Sequence, residues 1–269
     1  MIDKKILYCA AGAALCYVSN AMADTDLSIA AALSTYQYRE PAVMKNSGDK
    51  FALFLMASHD IASEQFIRAD VHYATGKVDY AADTAYAAAT ASSKSDWYLE
   101  TRALFGRRYA FSGSSLVPFI GLGYRYLSND LRGFNSLGQS GNRRQSQYIY
   151  LPLGLTHSLQ LSAQSRWNTE LEADVLLRGT QSARLSDAGQ GVADVSLSQR
   201  HGYGLKISMA YEKDNWSLGP FLEFWDISRS DTAGLLQNGS AVYSNGNRLL
   251  YQEPHNRTLE AGLRVRRSY

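Results

Sequence analysis

The sequence predicts an all-β chain that crosses a membrane as an antiparallel, up-and-down barrel of about ten strands. Apolar and polar residues alternate with a period of two in segment after segment from Leu27 to the C-terminus, as expected for strands with one face in lipid. After residue 24, no stretch offers the roughly 18 consecutive apolar residues of a membrane helix. Short and long connections follow each other in turn. Together these three observations favour a membrane barrel over a soluble sandwich.

The clearest hairpin spans Trp97–Tyr126. Its first arm places Leu99 and Phe105 on one face and Glu100 and Arg102 on the other. A glycine and serines at residues 112–115 predict the turn. The second arm carries its apolar face at Leu116, Pro118, Ile120, Leu122, Tyr124 and Tyr126. Each arm has about ten residues, which is the length of a tilted strand that crosses a bilayer.

The alternating segments give ten strands, or eight if the first pair lies outside the barrel. An even number places both chain ends on the side of the short turns, as in barrels with short periplasmic turns and long extracellular loops. The predicted short turns lie near 58–63, 109–115, 158–165 and 213–215, and the predicted loops lie near 41–49, 76–95, 128–145, 179–200 and 228–256.

Residues 1–23 have the features of a cleaved signal peptide. Lys4 and Lys5 give a positive start, residues 6–18 form a short apolar core, and residues 21–23 fit a cleavage site. We therefore expect one barrel domain at 24–269. Both cysteines, Cys9 and Cys16, lie in the peptide, so the domain is predicted to have no disulfide and no cysteine metal site.

The amino-acid composition limits the kinds of partner that we expect for this chain. The 18 tyrosines against 9 phenylalanines favour a chain with many residues at a membrane boundary. The net charge of +2 is small, and basic residues are interleaved with acidic ones, so no nucleic acid partner is predicted.

Charged residues fall mainly on one face of each strand. An exposed Arg or Lys at the bilayer midplane costs about 2 to 4 kcal/mol, so this face must line the lumen. Because about ten strands enclose slightly more space than side chains can fill, we predict a lumen plugged by paired charges. The predicted network comprises Arg68, Asp70, Glu100, Arg102, Arg125, Glu170, Glu172, Asp174, Lys206, Glu223, Glu260 and Arg264.

Three acidic residues, Glu170, Glu172 and Asp174, share one face of a strand on which Arg178 is also predicted to point inward. They are the types of ligand that Ca²⁺ prefers. The simpler interpretation makes them the counterions of Arg102, Arg125 and Arg264, which need partners when desolvated. No metal site, cofactor or catalytic residue is predicted.

The C-terminal segment LEAGLRVRRSY, with Leu259, Ala261, Leu263 and Val265 on alternate positions and an aromatic last residue, resembles the terminal strand signal of Gram-negative outer-membrane barrels. PFIGLGYRYL, YIYLPLG and EPHNRTLEAGL are similar to segments of small, uncharacterised ten-stranded barrel proteins of that membrane. The resemblance implies the fold, a location in the outer membrane after export through the inner membrane, and recognition of the last strand by the barrel assembly machinery.

Three functions are open at this stage. The leading hypothesis is a monomeric, non-enzymatic barrel with a structural or surface-binding role through its extracellular loops. The first alternative is a narrow channel for small solutes. The second is a rim hydrolase with the ten-stranded omptin architecture, because the outer rim is predicted to collect His72, His201 and His255 with Asp70, Asp79, Asp96 and Asp226.

The predicted loop at 128–145 is basic. Arg132, Arg143 and Arg144 are the right residue types to engage lipopolysaccharide phosphates. The expected partners are thus membrane lipid, lipopolysaccharide and an extracellular ligand that the sequence does not identify.

Overall fold

The computed structural model describes residues 25–82 and 88–269, and the predicted signal peptide at residues 1–23 lies outside them. Ten long strands dominate the described chain. Their bounds are β1 Thr25–Glu40, β2 Met44–Asp60, β3 Gln65–Ala82, β4 Thr90–Arg107, β5 Ser114–Phe134, β6 Ser140–Ser162, β7 Ser165–Arg184, β8 Gly202–Lys213, β9 Trp216–Ile227 and β10 Asn256–Ser268.

The ten strands close into one antiparallel barrel. Each pairs with its neighbours in the chain, and β10 closes the circle on β1 through pairs such as Leu33 with Leu263. The predicted barrel of ten strands is confirmed, and the alternative of eight is wrong because β1 and β2 are full members.

Smaller elements decorate the barrel. No helix among residues 25–82 and 88–269 is long and apolar enough to cross a membrane. The short strands are Tyr109–Phe111, Val195–Gln199, Thr232–Gly234, Leu236–Gln237, Ser240–Ala241, Tyr243–Ser244, Asn247–Arg248 and Leu250–Gln252, with one 3₁₀ turn at Leu185–Asp187.

Tight turns gather at one end of the barrel, which we call the turn end. The β8–β9 turn is Asp214–Asn215, and both residues have a positive φ, 50° and 68°. Asn and Asp tolerate this region, and a two-residue turn of this kind matches the twist of a hairpin. The first and last strands also begin and end here, as predicted. We call the opposite end the loop end.

The outer wall carries an apolar belt. Leu33 and Leu263 are 69% and 59% exposed although they are large and apolar. Lipid is the environment that stabilises such a surface. Above the belt, at the loop end, the rings of Tyr73, Trp97 and Tyr126 lie side by side, 6.1 Å and 5.2 Å between centroids. This row has the composition of an interfacial aromatic girdle.

Not all tyrosines lie at that boundary. Tyr36, Tyr98 and Tyr150 are buried inside the barrel. The tyrosine count therefore reflects the packing of the lumen as well as the membrane interface.

Three predicted loops, 41–49, 76–95 and 128–145, are largely strand. On β3 the outward residues are apolar from Ile67 to Tyr73 and then polar at Thr75, Lys77 and Asp79, while pairing with β2 continues to Ala82. Outside a bilayer the outward face of a strand needs no apolar residues. Strand pairing therefore continues beyond the point where the alternation of apolar and polar residues ends. The barrel wall extends roughly 20 Å along the strand beyond the girdle.

The predicted inward position of Arg178 is also wrong. The register between β6 and β7 shifts after the pair Ile149 with Arg178, and Arg178 is exposed on the outer wall. A β-bulge inserts one residue, which reverses the face of every residue beyond it.

The sealed lumen as candidate functional site

All twelve residues of the predicted lumen network lie on the inner faces of their strands. Ten of them form ion pairs that we call the midplane network: Arg68, Asp70, Glu100, Arg102, Arg125, Glu170, Glu172, Asp174, Lys206 and Glu223. The other two residues, Glu260 and Arg264, form no ion pair with any described residue.

Lys206 on β8 is the most connected cation of the midplane network. Its Nζ lies 2.8 Å from Glu100 on β4, 2.9 Å from Glu172 and 3.1 Å from Asp174, both on β7. One ammonium group thus links strands from opposite walls. Because the three carboxylates are almost fully buried, they rely on this ammonium group as a counterion in place of water.

Guanidinium groups complete the midplane network. Arg125 lies 3.1 Å from Glu100 and 3.6 Å from Glu223. Arg102 contacts Asp70 at 2.6 Å and Glu172 at 2.5 Å. The remaining pairs are Arg68 with Asp70 at 3.2 Å and Arg68 with Glu170 at 3.5 Å.

The predicted counterions are only partly right. Arg102 does bind Glu172, but Arg125 pairs with Glu100 and Glu223 instead of the acidic face of β7. Glu260 accepts hydrogen bonds from Ser34 at 2.7 Å and Tyr98 at 2.8 Å. Arg264 forms no ion pair with any described residue and lies over the Phe54 ring at 5.1 Å. Strand parity predicts which face a residue is on, but not which partner it meets across the lumen.

A second layer lies towards the loop end. The rings of Tyr150 and Trp225 meet edge to face, with 5.1 Å between their centroids. Lys50 forms an ion pair with Asp96, and the Lys50 Nζ lies 3.9 Å from the centroid of the Tyr36 ring. Glycine makes room for this layer, since a Cβ at Gly123 would lie 2.1 Å from the Tyr150 ring. Side chains therefore fill the lumen.

The mouth of the barrel holds what we call the mouth cluster: Glu40, Arg144 and Glu253. We call the segment 228–255 the end loop. Arg144 on β6 forms one ion pair with Glu40 at the end of β1 and another with Glu253 of the end loop. The Tyr38 hydroxyl donates to Glu40 at 2.8 Å, and it also lies 3.1 Å from Glu253. Burial and the neighbouring Glu40 carboxylate raise the pKa of Glu253 to about 7, although Arg144 opposes this.

Two cavities lie on either side of these layers. The turn-end cavity has a volume of about 250 Å³ and reaches inward to Glu100 and Glu223. The outer cavity, about 350 Å³, lies between strand tips and the end loop, beside Arg144 and Tyr251. No residue lines both. A third cavity of about 30 Å³ beside Tyr36 and Asp96 shares Arg144 with the outer cavity but shares no lining residue with the turn-end cavity.

The arginines of the predicted basic loop are all neutralised. Arg132 contacts Asp130 at 2.6 Å, and Arg143 contacts Asp187 at 2.8 Å, which holds the pKa of Asp187 near 2. Arg144 belongs to the mouth cluster. Each of the three therefore has a carboxylate partner, which for Arg132 lies only two residues away, and contact with a lipopolysaccharide phosphate stays a prediction.

The predicted rim histidines do not gather. His72 is buried in the lumen, stacked on Phe54 at 3.8 Å and 3.2 Å from the Tyr98 hydroxyl, because β3 continues well past it. His201 is exposed. His255 lies 2.8 Å from Asp226, which also accepts a hydrogen bond from Arg257.

The carboxylates expected beside them are occupied elsewhere. Asp70 belongs to the midplane network, Asp96 pairs with Lys50, and Asp79 accepts a bond from the Ser93 amide at 2.9 Å. Within residues 25–82 and 88–269, no group of three or more His, Asp or Glu side chains is placed to hold a metal ion.

Sequence reasoning missed Lys50, Glu40 and Glu253, and it assigned Asp96 to the outer rim and Arg144 to a basic loop. The inward positions of Lys50 and Asp96 follow from strand parity, since they alternate with Phe51 and Trp97. The position of Glu253 could not be predicted in this way, because it lies in a loop where apolar and polar residues do not alternate.

A closed ten-stranded barrel with an apolar belt, an aromatic girdle and a charged lumen defines the class of outer-membrane β-barrel proteins. No protein-family model matches the chain, and no curated protein matches it. The structure of the outer membrane protease OmpT from Escherichia coli superimposes with a TM-score of 0.61 at 9% identity, covering 92% of this chain and 97% of that one.

Two autotransporter structures also match. They are the transport unit of AIDA-I from Escherichia coli (TM-score 0.45, 10% identity, 94% and 92% coverage) and the translocator domain of NalP from Neisseria meningitidis (0.45, 9%, 98% and 95%). At these identities the likeness concerns the fold alone. The expected fold family, outer-membrane β-barrels, is confirmed.

Proposed function

We propose that this protein is a monomeric, non-enzymatic barrel of a Gram-negative outer membrane that conducts no solute and binds a partner through its strand tips and end loop. The observation that carries the proposal is the seal. Lys50, Arg125 and Glu260, all charged residue types, are at most 2% exposed in the middle of the lumen. A water path along the axis would have to cross this layer.

The membrane location has separate support. The apolar belt and the girdle fit a bilayer, and the fold shared with OmpT is that of outer-membrane barrels. In such a membrane the turn end faces the periplasm and the loop end faces the exterior. Arg178, exposed on the outer wall, is suited to a lipopolysaccharide phosphate. The alternating Leu259 and Leu263 of β10 offer a signal to the assembly machinery.

Of the histidines and carboxylates predicted at the rim, the hydrolase alternative is left with one pair, His255 and Asp226. A His that activates water must face a cleft together with its carboxylate. Asp226 points outward from β9 and shares its carboxylate with Arg257. The narrow channel is the alternative that the following experiment addresses.

The test is single-channel conductance of the refolded protein in a planar bilayer, with the double variant Arg102→Ala, Arg125→Ala alongside. The control is Arg107→Ala, Arg108→Ala, which removes two arginines at the turn end outside the lumen. We expect no steady openings from the unmodified protein or the control, and openings from the lumen variant. Steady openings in the unmodified protein would overturn the proposal and make a small pore the working function.

A further inference from the structure

Arg264 differs from every other cation of the predicted lumen network. Arg68, Arg102, Arg125 and Lys206 each contact a carboxylate. Among the described residues Arg264 forms neither an ion pair nor a hydrogen bond, and its guanidinium lies 5.1 Å from the Phe54 ring centroid and 5.8 Å from that of Phe221. A contact with a ring face stabilises the charge but leaves the N–H donors without acceptors.

These donors border the turn-end cavity. Arg264 lines it together with Phe54 and Phe221. The cavity opens at the turn end, where the Arg166 side chain is 49% exposed, and ends inside the barrel, where the Glu100 side chain is 4% exposed. A small solute therefore has access from the turn end and meets a closed floor.

A second arginine lines the same cavity. Arg266 follows two residues later on the inner face of β10, and its Nη2 donates to Glu212 at 2.9 Å. Its Nε is buried and has no acceptor. The hydroxyl groups of Ser208 and Ser217 line the cavity as well. The Arg266 side chain as a whole is 27% exposed, so its positive charge is accessible to a solute in the cavity.

We propose that the turn-end cavity binds one small oxyanion, a carboxylate or phosphate group, on Arg264 and Arg266. The planar guanidinium presents parallel N–H groups that match the two oxygens of such a group. Glu170 does not form an ion pair with Arg264, and its Oε2 instead accepts from Thr156 at 3.1 Å and lies 3.5 Å from Arg68. The lining carries six Arg and Lys side chains against five Asp and Glu side chains, and this formal excess of one positive charge matches one small anion.

The inference is separate from the proposed function, because the cavity lies on the turn-end side of the seal. A sealed barrel can bind a periplasmic anion without conducting it. A pore can also carry the same site.

The experiment is isothermal titration calorimetry of the full barrel in detergent with sodium phosphate and, separately, sodium acetate at constant ionic strength. We expect one anion per barrel, and affinity about tenfold or more weaker in Arg264→Gln, since hydrogen bonds to a charged group are lost. Arg107→Gln is the matched control, because Arg107 pairs with Glu64 at an exposed turn. The arm that gives heat identifies phosphate or carboxylate as the preferred group.

Ala210→Leu provides a second variant that adds volume to the cavity wall and changes no charge. It tests the site even if Arg264→Gln does not fold, and we expect it to abolish binding. Binding that persists in a folded Arg264→Gln or Ala210→Leu barrel overturns the proposal. The absence of heat with both anions in the unmodified barrel also overturns it.

Discussion

The midplane network and the mouth cluster are both made of buried ion pairs, but they differ in what holds them. In the midplane network Lys206 and its partners sit on strands whose backbones are locked by the barrel ladder. In the mouth cluster two carboxylates share Arg144, and one of them, Glu253, belongs to a loop. The same chemistry therefore serves the stability of the whole barrel in one place and the attachment of one segment in the other.

The other anchors of the end loop are mainly hydrogen bonds to the segment that precedes β8. The Ser198 amide donates to the Asp231 carboxylate at 2.7 Å, and the Gln199 side chain donates to the Ser228 carbonyl at 3.1 Å. Local opening of such a segment needs much less free energy than global unfolding. Variants that affect the two regions differently test this comparison.

The largest effect is expected from Lys206→Met. Removal of the ammonium leaves Glu100, Glu172 and Asp174 buried without their shared cation, and breaking a buried pair from one side costs about 3 to 5 kcal/mol. Urea unfolding of the refolded barrel, followed by tryptophan fluorescence, measures the loss. The control Arg107→Met removes a cation from an exposed pair and leaves the midpoint unchanged. Equal midpoints for both variants would contradict the role given to the midplane network.

A smaller global effect is expected from Arg144→Met. The end loop loses its ion pair, but Glu40 lies at a strand end and becomes hydrated once the loop moves away. The free energy of unfolding therefore falls by about 1 kcal/mol or less, while the end loop becomes accessible. Hydrogen exchange of residues 228–255 against that of β9 separates the two effects. If β9 lost protection together with the loop, the mouth cluster would belong to the global fold.

The smallest effect is a pH dependence confined to the mouth. The raised pKa of Glu253, about 7, means that the folded mouth holds a proton that the free loop releases. The attachment is therefore fully stabilised below the ordinary carboxyl pKa and weakens as pH rises through about 7. The groups around Glu253 are Glu40 and Tyr38 from β1, Arg144 and Tyr148 from β6, and Tyr251 from the end loop.

A nitroxide at Ser240→Cys, in an exposed hairpin of the end loop, reports this change by electron paramagnetic resonance. We expect greater mobility at about pH 8.5 than at about pH 5.5, and no difference in the additional variant Glu253→Gln, which stays neutral. A pH response that survives Glu253→Gln would assign the titration to another group.

The fold was predictable because lipid imposes a period of two on every strand. That period located all ten strands and placed Arg102, Lys206 and the rest of the lumen network on the inner face. It failed where lipid stops, so the outer thirds of β3 and β5 were predicted as loops. It also failed at Arg178, where a bulge reverses the faces.

Pairing across the lumen was beyond the sequence. Which carboxylate meets Arg125 depends on barrel diameter and strand stagger, which no single strand encodes. Arg264 illustrates this: its inward position follows from parity, but its lack of a counterion appears only when the barrel closes.

The long strands beyond the girdle limit how this surface can change over evolution. On β3, Lys77 and Asp79 are exposed, whereas Ala74 and Val78 are 0% and 1% exposed. Substitutions at the exposed positions leave the packing inside the barrel unchanged, whereas replacements at the alternate positions disturb it. Insertions in these strands shift that alternation, so changes in length are tolerated best at the strand tips and in the end loop.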